Sequence, residues 1–198
     1  MSDPEATSPD ATAPDVPDWD DEYVDRVSDR LMASYDLEKD RTVRGEPFTL
    51  YGEMRVVSQK HFFHPALRYG RHETHDHLFV RRVDDVTVAD LEALVEVGHA
   101  LADDWIEADE QHFGTDFTFV LVTDAIPDDV RAFVDGFRDR TLIRYGYHGH
   151  YEVNLGVVAP AVEESVATAE ADVVSAFRLW ESLDDGSNRR GLLGRLFS

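Results

Sequence analysis

The stretch FTFVLVT, Phe117 to Thr123, is a short apolar run with β-branched residues and no helical stop signal. It does not alternate polar with apolar, which predicts a central strand covered on both faces. Downstream, Pro127 stands where a first-turn proline is tolerated, and Val130, Phe133, Val134 and Phe137 recur at helical spacing, so a helix packs on the sheet. Upstream, Thr87 with Asp90 three residues later forms a capping box with Asp in place of Glu. It opens the clearest helix in the chain, whose apolar positions Leu91, Leu94, Val95, Gly98, Leu101, Ala102, Trp105 and Ile106 share one face.

Further out, Phe48, Leu50, Gly52, Met54 and Val56 alternate with Thr49, Tyr51, Glu53 and Arg55, which is β periodicity. One straight strand from Phe48 to Phe63 would run to about 50 Å, so two antiparallel strands or one strand bent at Gly52 are expected. A loop rich in Arg, Gly and His follows, then a strand over Leu78 to Val83. Near the start, Tyr23, Val24, Val27 and Leu31 predict an amphipathic helix to about Tyr35, capped by Asp18 or Asp20. In the last sheet segment, Leu142 to Val158, side-chain parity places Ile143, Tyr145 and Tyr147 on one face with Tyr151, Val153 and Leu155. That holds if a hairpin closes through His148, Gly149 and His150 with Gly149 at positive φ, or if one strand is bulged at Gly149. From Pro160, Val162, Val166, Ala169, Val173, Ala176, Trp180 and Leu183 are spaced alternately by four and three, the seam of a helix lying along another helix.

The expected fold is therefore α/β or α+β, with a mixed or antiparallel sheet of about five or six strands and flanking helices. Its parts are a disordered acidic leader over 1–18, one globular domain over 19–158, a C-terminal helix over 160–184 and a basic flexible tail over 185–198. The leader holds four of the eight prolines and five acids.

Composition excludes several functions. Without cysteine there is no disulfide scaffold, Cys-ligated zinc or Cys nucleophile. No apolar run approaches the roughly 18 residues of a membrane span, and the N-terminus lacks a secretory apolar core. The 41 acids, 26 of them Asp, face 17 Arg and two Lys, for a net charge of −22. Such an excess repels itself in dilute solution, whereas near 1 M salt the screening length falls to about 3 Å. This composition resembles that of proteins from halophilic archaea, which implies a cytoplasm rich in potassium chloride. It argues against nucleic acid as a partner, since phosphate backbones are bound by clustered Lys and Arg.

Nine histidines invite a metal reading. His72, His75 and His77, with His150 and His61, could hold zinc or another divalent transition metal beside Asp76 or Glu73. The segment HETHDH partly resembles the HxHxDH signature of metallo-β-lactamase-like hydrolases, with one His displaced, so no residues carry over. A hydrated polar loop is the plainer reading. The element order loosely resembles that of restriction-endonuclease-like nucleases, which implies Glu53 as a first metal-binding carboxylate. The second motif of those enzymes fails, because Ser58 stands two residues before Lys60. There is no GxSxG, GxGxxG or P-loop. His99 reads as a histidine at the rim of the core, and Tyr145, Tyr147 and Tyr151 as sheet core rather than a stacking surface.

The tail is basic and apolar. Arg189 and Arg190, with Leu192, Leu193, Leu196 and Phe197, form a short amphipathic segment that could enter a partner's groove next to Trp180 or lie on an anionic membrane surface, or equally fray.

Residues 34 to 158 resemble a small uncharacterised prokaryotic domain family of unknown function. The resemblance rests on SYDLEKD from Ser34, FTLYGE from Phe48, SQKHFF from Ser58, DHLFVRRVDDVT from Asp76 and the glycine-centred strands around Gly149. It implies no catalytic residues. The sequence as a whole therefore predicts a cytoplasmic binding or assembly module that meets a protein partner through its C-terminal helix and tail. The alternative is a metal-dependent hydrolase with a histidine-rich site.

Overall fold

The structure, a computed structural model, describes residues 17–60, 70–107 and 112–181. Its elements are α1 (Glu22–Leu31), β1 (Asp36–Val43), β2 (Glu46–Lys60), β3 (Gly70–Arg82), α2 (Val88–Trp105), β4 (His112–Val122), α3 (Asp128–Gly136), β5 (Arg140–Leu142), β6 (His150–Ala159) and β7 (Glu164–Ala167). Short 3-10 helices cover Ile143–Gly146, Pro160–Val162 and Asp172–Phe177.

The FTFVLVT strand lies where its composition requires. β4 runs parallel to both neighbours, with Phe79, Phe119 and Leu155 in one cross-strand row. The sheet order is β1-β2-β3-β4-β6-β5, with β7 also paired to β6. β1, β2 and β3 are antiparallel, so the sheet is mixed. Phe117, Phe119 and Leu121 pack under α2 and α3, while Val120 and Val122 join α1 and the 3-10 helix Asp172–Phe177 on the other face. Each side chain so buried contributes about 1.5–3 kcal/mol. Two apolar layers thus share one sheet.

The capping box of α2 is present, with Thr87 and Asp90 exchanging bonds. Gly98 is what lets that helix settle on the sheet, because a Cβ there would lie 2.8 Å from a methyl of Val153. α1 is capped by Asp21 rather than Asp18 or Asp20. The Asp21 carboxylate accepts from the N–H groups of Tyr23 and Val24 at 3.0 and 3.2 Å and is held by Arg82 at 2.6 Å. The helix stops at Leu31, and Tyr35 leads into β1.

Four further expectations are corrected. β2 is a single strand paired without interruption through Gly52, which faces Leu37 on one side and Leu78 on the other. The glycine is needed for close approach, since a Cβ would meet the Tyr35 ring at 3.1 Å. The face switch falls earlier: Phe48 joins the α2 layer and Leu50 the α1 layer, opposite Asp40 at φ 53°. The histidine-rich segment from Gly70 is strand β3 rather than a loop.

Leu142 to Val158 is neither the expected hairpin nor a bulged strand. β5 is three residues long, and Tyr145 and Tyr147 lie outside the sheet on a turn. Tyr151, Val153 and Leu155 do face the α2 layer.

Among the described residues the expected C-terminal helix does not form. After Pro160 the chain makes a 3-10 turn, pairs as β7 with β6, and ends in a second 3-10 helix. The seam positions serve two layers because the segment crosses the sheet edge: Val166 joins the α2 layer, while Val173, Ala176 and Trp180 pack against the α1 layer beside the buried Val174 and Phe177. Packing therefore continues past residue 158. Tyr23 donates to the Phe177 carbonyl at 2.6 Å, and Arg30 donates to those of Ala176, Arg178 and Glu181 at 3.3, 3.0 and 3.1 Å. Leu183, the leader through Val16 and the tail lie outside the described residues.

The glycines give a test by urea unfolding. Gly98→Val should cost about 2–3 kcal/mol through overpacking against Val153 and Phe119. Gly136→Ala, with open space around its Cβ, should gain up to about 1 kcal/mol. Equal effects at both sites would contradict this packing.

Candidate functional site

Chemistry-bearing side chains gather at one end of the sheet, where β3, β4 and β6 begin. On β3, alternation places Glu73, His75 and His77 on the α2 face. His77 is 8% exposed, stacked on Phe117 and edge-on to Trp105, with its Nδ1 2.8 Å from the Tyr51 hydroxyl. Burial, with help from neighbouring His75 and Arg41, pushes its pKa down to about 4. His75 is lowered too, by burial first and then by Arg55, whose guanidinium is bonded to Glu73. Burial and then the nearby Glu53 raise the Tyr51 phenol, which stays protonated. Glu53 lies opposite His77 in the register.

His150 stands on the other face, by the alternation that sends Tyr151 and Val153 to α2. It is 3.5 Å from Glu152, which also pairs with Arg140 at 3.1 Å. On that face Asp76, Asp116 and Glu152 line up in register across three strands, and the Tyr35 hydroxyl donates to Asp76 at 2.8 Å. The side chain of His72, and all of His61, lie outside the described residues. Of the five proposed ligands, then, His75 and His77 are brought together and His150 is separated from them by the sheet. Among the described residues no three His, Asp or Glu side chains are placed to hold one metal ion.

Other histidines organise the turn between β5 and β6. His99 of α2 has Nε2 3.0 Å from Asp139 and Nδ1 2.9 Å from the Tyr151 hydroxyl. In the neutral ring, Nε2–H donates to the carboxylate and Nδ1 accepts from the phenol, a relay that also ties α2 to the stem of the turn. His112 Nδ1 is 2.7 Å from the His148 carbonyl. A carbonyl only accepts, so that nitrogen carries the proton, and in the neutral ring Nε2 accepts from the Thr115 hydroxyl at 2.8 Å.

The turn so held is backbone under strain. Arg144, Tyr145 and Gly146 have φ of 47°, 60° and 87° in succession, and Gly149 has 76°. Its bonds run from Ile143 N–H to the Gly149 carbonyl at 3.0 Å and from Tyr147 N–H to the Arg144 carbonyl at 3.2 Å. On this frame Tyr145 is 96% and Tyr147 87% exposed, with Leu142 at 59% and Phe113 nearby at 45%. Neither tyrosine makes a side-chain hydrogen bond or ring contact among the described residues.

Trp180 is half-buried against the α1 layer and lines an open cleft of about 640 Å³ with Arg131, Arg178, Glu164 and Glu181. Arg189, Arg190, Leu192, Leu193, Leu196 and Phe197 lie outside the described residues. Sequence reasoning missed the roles of His99, His112, Asp139 and Tyr147. Their partners are scattered along the chain, so spacing carries no signal for them; the RYGY stretch flanked by glycine was the one local cue.

Residues 20–179 match the model of a family described as Domain of unknown function (DUF8052). The span takes in β7 and the last 3-10 helix as well as the sheet. No curated protein and no solved structure matches the chain.

The buried His77 sets a pH dependence. It stays neutral in the fold down to about pH 4, whereas the unfolded chain protonates it near 6.5, so stability is lost as pH falls from 7 to 4. His77→Gln should remove on the order of 3 kcal/mol of that loss, read as the difference between variant and wild type in urea midpoints at pH 7 and pH 4. Parallel pH profiles would contradict the assignment.

Proposed function

This chain belongs to the family of unknown function DUF8052, and from that premise we propose that it is a protein-recognition module whose contact surface is the turn from Leu142 to Gly149. The supporting observation is the pair Tyr145 and Tyr147, 96% and 87% exposed on a strained backbone. A non-glycine residue in the left-handed region costs about 1–2 kcal/mol. Strain of that kind persists at functional sites when surrounding structure over-determines it. Here it holds two aromatic rings outward. Tyrosine and arginine dominate binding hot spots because they offer large contact area and hydrogen bonding at modest entropic cost.

The composition supports a setting for this recognition, the salt-rich cytoplasm of a halophilic archaeon, where a net charge of −22 is screened. The tail is a second contact in this reading. Trp180 lies in an open cleft at the point where the described chain ends, and Arg189, Arg190, Leu192, Leu193, Leu196 and Phe197 follow it. The hydrolase reading, with zinc or a similar metal on His72, His75, His77 and His150, is not favoured by the placing of His75 and His77 on one face of the sheet and His150 on the other.

Site-specific photo-crosslinking tests the proposal. Benzoylphenylalanine in place of Tyr145 or Tyr147, irradiated in cells at molar potassium chloride, should capture one discrete protein, and the same group at exposed Val162 should not. Equal capture at all three sites, or none, would contradict it. Removing residues 186–198 should weaken the capture if the tail is the second contact; unchanged capture would confine recognition to the turn.

A further inference from the structure

We propose that the segment bound at the turn is acidic, an extended stretch of Asp and Glu presented by the partner protein; this rests on the recognition reading above. The first ground is charge. Arg140 to Tyr151 contains no Asp or Glu in twelve residues, in a chain where 41 of 198 residues are acids. The second is the state of the arginines. In this chain arginines find carboxylates readily: Arg81 pairs with Glu46, Arg82 with Asp21, and Arg131 with Glu164. Arg144, exposed at the crest of the turn, makes no ion pair or side-chain hydrogen bond among the described residues, a state it shares with Arg26 on α1, and it differs from Arg26 in standing in the acid-free segment beside Tyr145. Arg140, two residues before Leu142 on β5, pairs with Glu152 yet keeps a side-chain exposure of 59%.

The third ground is donor chemistry. The Arg144 guanidinium and the hydroxyls of Tyr145 and Tyr147 are hydrogen-bond donors aimed away from the fold, and carboxylates accept from all three. An arginine fork takes a carboxylate in bidentate fashion, which adds geometric selection to attraction. The chain's acids repel an anionic partner only within the screening length, about 8–10 Å at ordinary salt and about 3 Å in molar salt, so those farther than that from the turn are screened. A nucleic acid would bring a continuous line of phosphates past the acidic flanks of the domain and would be repelled along its whole track. A short acidic peptide can be held at the turn, where the sequence carries no acid between Asp139 and Glu152.

Fluorescein-labelled decaglutamate is the probe, titrated with the full chain in 0.5 M potassium chloride and followed by anisotropy. Arg144→Glu should weaken binding at least tenfold, while Arg26→Glu on α1, with the same change in net charge, should leave it within twofold. Tyr145→Ser with Tyr147→Ser should weaken it similarly to Arg144→Glu. Labelled decauridylate should bind more weakly than decaglutamate. Equal loss in the Arg144 and Arg26 variants, no measurable binding of decaglutamate, or tighter binding of decauridylate would overturn the inference. If crosslinking at Tyr145 succeeds while decaglutamate fails, the acidic partner falls and recognition by the turn stands. If both fail, the recognition reading falls with it.

Discussion

The turn depends on one close approach. Gly149 lies so near the start of β4 that a Cβ on it would sit 2.2 Å from the Phe113 carbonyl oxygen. No other residue type fits there, and the positive φ of Gly149 excludes side chains a second time. With Gly149 seated on β4, the chain before it must loop out, and the Ile143 N–H bond to the Gly149 carbonyl closes that loop. The His112 bond to the His148 carbonyl locks it from the same strand. A single backbone contact thereby converts the rigidity of the central strand into rigidity of an exposed turn.

The central strand can bear this because it is buried on both sides and paired on both edges. Its parallel register with β3 and β6 aligns their first residues at one end of the sheet, so polar groups from three strands collect there while apolar groups fill the rest. The two faces then diverge. One carries histidines and tyrosines beneath α2; the other carries Asp76, Asp116 and Glu152 beside Tyr35. Burial raises the Tyr35 phenol, with the carboxylates of Asp76 and Asp116 adding to the effect, so it remains a hydrogen-bond donor.

What was legible in the sequence was what is local. The doubly buried strand declared itself by its unbroken apolar run, α2 by its capping box and stripe, and Gly149 by parity. β1 was illegible because an edge strand with alternating charges, DLEKDRTV, has no apolar face to signal, and its hairpin turn rests on Arg44 and Gly45 at positive φ. β3 began earlier than read because its first half is polar on both faces. The heptad pattern after Pro160 misled because equal spacing can serve two layers when the chain wraps an edge. Tyr145 and Tyr147 were assigned to the core by a parity argument that assumed aromatic residues in alternation must be buried. Exposure at those two positions is a tertiary fact: it follows from the short β5 and from the close approach of Gly149 to β4, neither of which parity can weigh.

The central claim is that the turn is held in shape before any partner arrives. Backbone 15N relaxation of the free protein in molar potassium chloride measures this directly. The account predicts order parameters for Arg144 to Gly149 near the value of about 0.85 found in rigid backbone, matching β4 and β6. Values below about 0.6 across those residues, with the sheet itself remaining rigid, would contradict it.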